Sequence, residues 1–369
     1  MFSHLRIIEL ASVLAGPSVG MFFAELGAEV IKVENSTTKG DVTRSWKLKT
    51  EGNTDITAYF SSVNWGKKSI ALDLKSPESQ QFIYQLAQKA DIVISSFLPG
   101  SAQRLGMDAE TLMSYNPKLI CGEINGYGET VERAAFDAII QAEAGFTYMN
   151  GEGENHYKMP VALMDILAAH QLKEALLLAY IDFLQTGKGK KVSVSLIEAG
   201  ISSLVNQAAN WLVAGQIPQA IGSEHPNIAP YGTIFRTADH KSLVLAVGTD
   251  AQFAALCQLL DIANITDFAT NPQRVAQREA VNALLSAAIA QRNRADLLAA
   301  LLHAKVPAGA VNDLEEVFSQ EIAQKMKLSS SSISGVRTFV AKGIETQKQL
   351  SPPPHLNEHE AEIRAISRG

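Results

Sequence analysis

The chain has 369 residues, 46% of them apolar and 19% charged, with a formal net charge of -6. This length exceeds one comfortable core and predicts about two domains, and without a long polar tract the chain is expected to be globular. The acidic balance excludes a general nucleic-acid binder, which needs a basic surplus against backbone phosphates. Two cysteines, Cys121 and Cys257, are too few for a disulfide framework or a thiolate metal site. The opening MFSHLRIIEL runs straight into a strand-like pattern without the long apolar core of a signal peptide, and no uncharged run approaches about 18 residues. A soluble cytoplasmic protein with no membrane span is expected.

In chain order, Leu5–Leu10 reads as the first strand, followed by a loop and a helix beginning near Pro17, a residue suited to the first turn. Gly27 stops that helix, and Glu29–Glu34 (EVIKVE) is the next strand. Ser69–Leu74 (SIALDL) alternates apolar and polar residues, and Ser76-Pro77-Glu78 then supplies an N-cap, a first-turn proline and a first-turn acid. Phe82, Ile83, Leu86, Ala87 and Ala90 recur at helical spacing on one face. Asp91–Ser95 and Lys118–Ile124 add two strands. Strands alternating with helices imply a largely parallel sheet covered on both faces.

Further on, Val161–Leu184 reads as a long, mostly apolar helix, Lys190–Leu196 as a strand of period two, and Leu196–Ala214 as a second helix. Gly215–Pro230, rich in Gly, Pro and Asn, is a linker. Tyr231–Val247 reads as a hairpin turning at Ala238–Lys241, and helical stretches follow at Asp250–Leu260, Glu279–Gln291 and Asp296–His303, a smaller α+β domain. Val306–Val311 and the helix after Asp313 are expected to begin the return to the first domain. The expected division is therefore 1–214 with 312–369 as the large domain, and 215–311 as linker and small domain.

The opening β-α-β unit lacks the GxGxxG of a dinucleotide site, since its loop reads Ala15-Gly16-Pro17-Ser18-Val19-Gly20, and sheet packing is its simpler role. Asp165 stands out as the only acid between Glu154 and Glu174, in an apolar stretch. A buried lone carboxylate is costly, so it must be partnered, protonated or functional. On the residues alone, a helix cap or a satisfied structural acid weighs as much as a catalytic role. His156 and His170 lie nearby without a metal-ligand spacing.

The segment VLAGPSVGMFFAELGAEVIKVE at 13–34 resembles the N-terminal signature of family III CoA-transferases, the superfamily of formyl-CoA transferase, carnitine dehydratase and α-methylacyl-CoA racemase. The likeness continues in order through GDVTRSW (40–46), SVNWGKKSIALDLKSPE (62–78), FLPGSAQRLGM (97–107), NPKLICGEINGYG (116–128), AAFDAIIQAEAG (134–145), GKGKKVSVSL (187–196), HPNIAPYG (225–232) and PPPHLNEH (352–359). It spans nearly the whole chain, and the ordered set is far more specific than any one piece. The resemblance implies an α/β fold: a Rossmann-like open-sheet domain formed by both chain ends, plus a smaller α+β domain. It also implies a homodimer of interlocked rings, with the active site near the domain and subunit interface.

The activity implied is CoA transfer from an acyl-CoA donor to a small carboxylate acceptor, with CoA as substrate and no permanently bound metal or redox cofactor. The family's nucleophile is an aspartate at the start of the long helix before a TGKGKK turn, and Asp165 in MPVALMDILAAHQ fills that position. By family position, Lys75 and Arg104 meet the CoA phosphates. Leu72, Asp73, Leu74 and Lys75, with Ser96, Phe97 and Leu98, line the adenosine end. Leu14 and Ala15 contact CoA through the first loop, and Arg44 is a further candidate. Lys67 and Lys68 are read as solvated.

Departures from the family pattern bear on the substrate. Relatives often carry ENFRPG where this chain has SSFLPG, so Ser96 and Leu98 remove an amide and a guanidinium from the CoA pocket. Asn35 replaces an arginine of formyl-CoA transferases, Ala134 and Phe136 replace their lysine and tyrosine, and their glycine-rich substrate loop has no counterpart between 215 and 250. A reaction other than formyl-CoA:oxalate transfer is favoured. The racemase branch uses a His in a GHD motif, which is Ala135-Phe136-Asp137 here, and a phenyl ring cannot exchange protons. Phe136 and Asp137 are left on the substrate side, with Asp137 orienting a substrate group or capping a helix. The alternatives to CoA transfer are racemase-like α-proton chemistry and a CoA-binding protein without catalysis.

Overall fold

Runs of Val, Ile and Leu build six parallel strands: β1 (Arg6–Leu10), β2 (Glu29–Asn35), β3 (Lys67–Leu72), β4 (Ile92–Ser95), β5 (Ile120–Asn125) and β6 (Lys191–Ser195). They lie in the order β3-β2-β1-β4-β5-β6, each parallel to its neighbours. The strand order reverses between β1 and β4, the switch point at which an open doubly wound sheet leaves a crevice beyond its carboxyl ends. This computed structural model describes residues 1–368. The chain forms two compact units, one of Met1–Gly145, Met159–Val205 and the chain from Lys325 on, and a second of Phe146–Lys158 with Asn206–Gln324.

In the first unit, helix α1 spans Ala15–Glu25, so it begins two residues before Pro17, and all its residues are buried. Helix α2 (Pro77–Ala87) starts as its sequence dictates: Ser76 Oγ accepts the Ser79 amide at 3.2 Å and Pro77 fills the first turn. Phe82, Ile83, Leu86 and Ala87 pack on Ile8, Leu10, Ile31, Val33, Ile70 and Leu72 of the sheet. The C-terminal segment covers the β3 edge: Asn357 Oδ1 accepts the Ala71 amide at 2.8 Å, the His359 amide donates to Ser69 O at 3.0 Å, and Ile363 enters the same core. A free strand edge is a template for aggregation, and this cover removes it.

Helix α3 (Asp137–Glu143) and the long helix α4 (Leu163–Thr186) complete the site's frame. The helix expected over Leu196–Ala214 is two, Leu196–Ser202 and Val205–Ala214. The hydroxyls of Ser202 and Ser203 both bond back to Ala199 O, which competes with the helix ladder, and Val205 turns the chain at φ 44°.

The second unit has an antiparallel three-stranded sheet, Tyr231–Arg236, Ser242–Ala246 and Ala308–Ala310. Its own core includes Phe235, Leu243, Leu245, Phe253, Leu256, Leu285 and Leu297. Ala308–Ala310 pairs with Leu243–Leu245, so the segment expected to start the return to the first domain instead completes this sheet, and the chain leaves the unit only after Gln324. The helix Val205–Ala214 likewise falls mostly in this unit. No helix among the described residues is long and apolar enough to cross a membrane.

Candidate active site

The switch-point crevice holds a cavity of about 230 Å³, lined by Ser12–Gly16 after β1, Ser96–Pro99 after β4, Ile124–Gly126 at the end of β5, Ala134–Phe136, Leu196 and Asp165. A second cavity of about 280 Å³ shares Ser12, Ser96 and Phe97 with the first and extends past Leu74 to Asn35 and Thr38. The two together form a trough along the carboxyl edge of the sheet.

Asp165 sits in the first turn of α4, in a wall otherwise made by small and apolar groups. It is not the cap, since Ala162 holds that position, and among the described residues no hydrogen bond or ion pair reaches its carboxylate. Burial, and then the charge of Asp137, push its pKa up to about 7. A carboxylate of raised basicity facing a cavity is a nucleophile or base in waiting.

Asp137 does not line the cavity. Its Oδ1 accepts the Met164 amide at 2.9 Å and its Oδ2 accepts Gln141 Nε2 at 2.7 Å, so it caps the start of α4 across the fold. The fully buried Gln141 ties the preceding segment as well, accepting the Met159 amide at 2.7 Å and donating to Met159 O and Val161 O. Of the two open roles for Asp137, the structure shows the cap.

The other sequence candidates divide. Leu14, Ala15, Ser96, Phe97, Leu98 and Phe136 join Asp165 around the first cavity, and Leu74 lines the second. Leu72 packs its side chain in the sheet core, and Asp73 Oδ1 accepts the Lys75 amide at 3.0 Å. Lys75 and Arg104 are exposed and outside the lining of both cavities; Arg104 Nη2 donates to Ser101 Oγ at 2.7 Å. Arg44 is a correction. All its donors are spent internally, on Glu34 at 2.7 Å through Nε and Nη2, and on Asp55 and Pro354 O, with its guanidinium 3.7 Å over the Phe60 ring. It is a frame residue, not a ligand donor.

Lys67 is a second correction: it is fully buried, not solvated. Glu9, on the middle strand β1, accepts from Lys32 Nζ at 3.1 Å and from Lys67 Nζ at 2.7 Å, and Lys67 also reaches Pro17 O and Asn64 Oδ1. Burial lowers the Lys67 pKa to about 8 against the pull of Glu9. Burial also opposes the charge on Lys32, but Glu9, Asp41 and Glu34 hold it above its ordinary value. Gly20 of α1 makes room for this layer, because a Cβ there would lie 1.9 Å from Glu9 Oε2. Lys68 is partly exposed and paired with Glu29 and Glu362.

Sequence reasoning missed three more features. Val13 takes φ 69° in the cavity wall, a left-handed conformation that costs a β-branched residue about 1–3 kcal/mol. The half-buried Tyr59, edge-on to Trp46 at 5.0 Å, has its hydroxyl pKa raised by burial and then by Asp165 and Asp137, which places it in their field. Asn125 and Gly126 enter the wall through the end of β5, a placement that follows from strand order alone.

The order of strands and the lone acid at the crevice define an open α/β protein with a ligand cleft at the carboxyl edge of its sheet. The sequence matches the profile of CoA-transferase family III over residues 2–360, and the chain belongs to that family. It is 38% identical to the succinate–glutarate CoA-transferase of Agrobacterium fabrum, over 98% of this chain and 94% of the relative. It is 31% identical to the succinyl-CoA:glutarate CoA-transferase of Homo sapiens, over 97% of this chain and 84% of the relative. Among solved structures, a CAIB/BAIF family protein from Brucella suis matches with a TM-score of 0.88 at 38% identity, over 98% of each chain. By class the protein is a CoA-transferase.

Proposed function

We propose that this enzyme transfers CoA between a small acyl-CoA donor and a carboxylate acceptor through covalent intermediates on Asp165. The observation that carries this is the unpartnered, partly buried carboxylate in the switch-point cavity, with its pKa raised to about 7 by burial and by Asp137. The ionised carboxylate attacks the thioester carbonyl and expels CoA thiolate, leaving a mixed anhydride on Asp165. The thiolate attacks the aspartyl carbonyl and releases the donor's carboxylate, which gives an aspartyl-CoA thioester. The acceptor carboxylate attacks that thioester and forms an anhydride again, and returning thiolate takes the acceptor's acyl group and frees Asp165. Every bond made is matched by one broken, and no oxidant, metal or other resident cofactor is required.

In this reading CoA lies along the joined cavities, with Leu14, Ala15, Ser96, Phe97 and Leu98 against its length, Leu72–Lys75 toward its adenosine, and Lys75 and Arg104 as phosphate partners. Phe136, beside Asp165, limits the acyl chain. Dicarboxylates of the succinate and glutarate kind are the proposed substrates, on the names of the relatives at 38% and 31% identity. A proton-exchanging partner at Phe136 is lacking, so paired-base racemisation receives no support. The functional form is proposed to be an interlocked homodimer acting in the cytoplasm. Leu178, Ile181 and Leu184 leave an exposed apolar stripe on α4, consistent with cover by a second copy.

The test crosses a panel of acyl-CoA donors with carboxylate acceptors, read by mass spectrometry for wild type, Asp165→Asn and Asp165→Ala. Transfer is expected in wild type with C4–C5 dicarboxylates and in neither variant. Wild-type transfer by Asp165→Ala overturns the reading. For assembly, sedimentation should show a dimer that does not part on dilution; a stable folded monomer contradicts it.

A further inference from the structure

We propose that Asp41 is a positioning residue for CoA transfer: it accepts the Val13 amide and so holds that valine in the left-handed conformation that shapes the loop beside Asp165. The inference rests on reading that cavity as the place of transfer. The loop after β1 is tied at three successive residues. Ala11 O accepts Lys32 Nζ at 2.9 Å, the Ser12 amide donates to Ser96 Oγ at 3.3 Å, and the Val13 amide meets both Asp41 oxygens at 3.3 and 3.2 Å. Val13 then turns at φ 69° and leads directly into the first turn of α1, whose Leu14, Ala15 and Gly16 face the cavity. Valine does not adopt this conformation unaided, because its branched Cβ crowds the backbone. Something must hold it, and Asp41 is the group in place.

Asp41 is itself fixed from every side. Its Oδ1 accepts the Thr43 amide at 3.0 Å and the Thr43 hydroxyl at 2.8 Å, its Oδ2 pairs with Lys32 Nζ at 3.0 Å, and its own amide donates to Glu34 Oε2 at 2.9 Å. Its side chain is 1% exposed, so water does not replace these bonds. The chain Glu9–Lys32–Asp41 thus carries rigidity from the sheet's middle strand to one strained backbone amide in the active cavity. Asn at position 41 would keep the Thr43 contacts and the 3.3 Å Val13 contact through its oxygen, but would turn an NH2 group toward the Lys32 ammonium and put a donor where the Val13 amide has its 3.2 Å acceptor.

A double-mutant cycle tests this, using Asp41→Asn, Val13→Gly and the pair, with transfer kcat, CoA affinity by calorimetry and thermal unfolding measured for each. Asp41→Asn is expected to lower kcat by about 30-fold while CoA affinity changes by less than about threefold. In the Val13→Gly background, where the left-handed turn is free of cost, the same substitution should lower kcat at least about fivefold less. A purely structural Asp41 would lose unfolding temperature and kcat alike in both backgrounds, and that result overturns the proposal, as does wild-type kcat in Asp41→Asn. Should Asp41→Asn fail to fold, the cycle is run with Asp41→Ala in a Lys32→Met background and compared with Lys32→Met alone, which carries the loss of the Ala11 contact and leaves Glu9 paired with Lys67. Asp165→Ala is assayed in parallel. If it retains transfer, the cavity reading falls and this inference with it; if it is inactive and the cycle shows no coupling, only the Asp41 assignment is wrong.

Discussion

Replacing Asp165 by Asn should stabilise the fold in a pH-dependent way while destroying activity. The carboxyl keeps its proton in the folded protein up to about pH 7, against an ordinary value of 3.8. Below about pH 4 both folded and unfolded chains hold the proton, and the aspartate costs nothing. Between about pH 4 and 7 the unfolded chain has released it and the folded chain has not, so the unfolded state binds fewer protons and stability falls as pH rises. At 1.36 kcal/mol per pH unit the full cost is about 4 kcal/mol, and residual solvent contact brings it to about 2–4 kcal/mol. Asn escapes this cost. Urea unfolding at fixed protein concentration should show Asp165→Asn gaining about 1–3 kcal/mol over wild type between about pH 5 and pH 8.5. A constant difference across that range would refute the claim that the folded chain strains this carboxylate, and a loss of stability would mark it as a structural acid.

Three further outcomes follow from named contacts. Arg44→Ala strands Glu34 in the interior and should cost about 3–5 kcal/mol in denaturant unfolding; a variant with unchanged stability and weakened CoA binding would return Arg44 to the ligand set. Gly20→Ala drives a methyl onto Glu9 and should cost at least about 1–3 kcal/mol, read as a drop in unfolding temperature. Lys75→Ala and Arg104→Ala should each weaken CoA binding by about 1–3 kcal/mol with stability intact, and unchanged affinity in both would remove them from the phosphate end.

The sheet was legible because its strands are short apolar runs between turn signals, and Ser76-Pro77 announces its helix with both a cap and a first-turn proline. Asp165 was legible as an acid without company in an apolar helix. What local pattern hid was long-range. Lys67 looks solvated in WGKKS and Lys32 carries no signal of its own in EVIKVE, and only the pairing of β1 with β2 and β2 with β3 reveals a charge layer around Glu9. Arg44 looked available because its partners Glu34 and Pro354 are ten and 310 positions away. The break before Val205 was hidden because serine hydroxyls that back-bond to a carbonyl leave no breaker residue in the sequence. Ala308–Ala310 carries too little side chain to declare which sheet it joins.

The central claim is that Asp165 becomes covalently acylated during transfer. Hydroxylamine added to enzyme turning over an acyl-CoA donor should convert the aspartyl thioester or anhydride to a hydroxamate, seen by mass spectrometry on the peptide containing Asp165 and absent without donor. The account predicts that adduct at Asp165 together with loss of activity. Continued transfer with Asp165 unmodified, or an adduct on another residue, would contradict it.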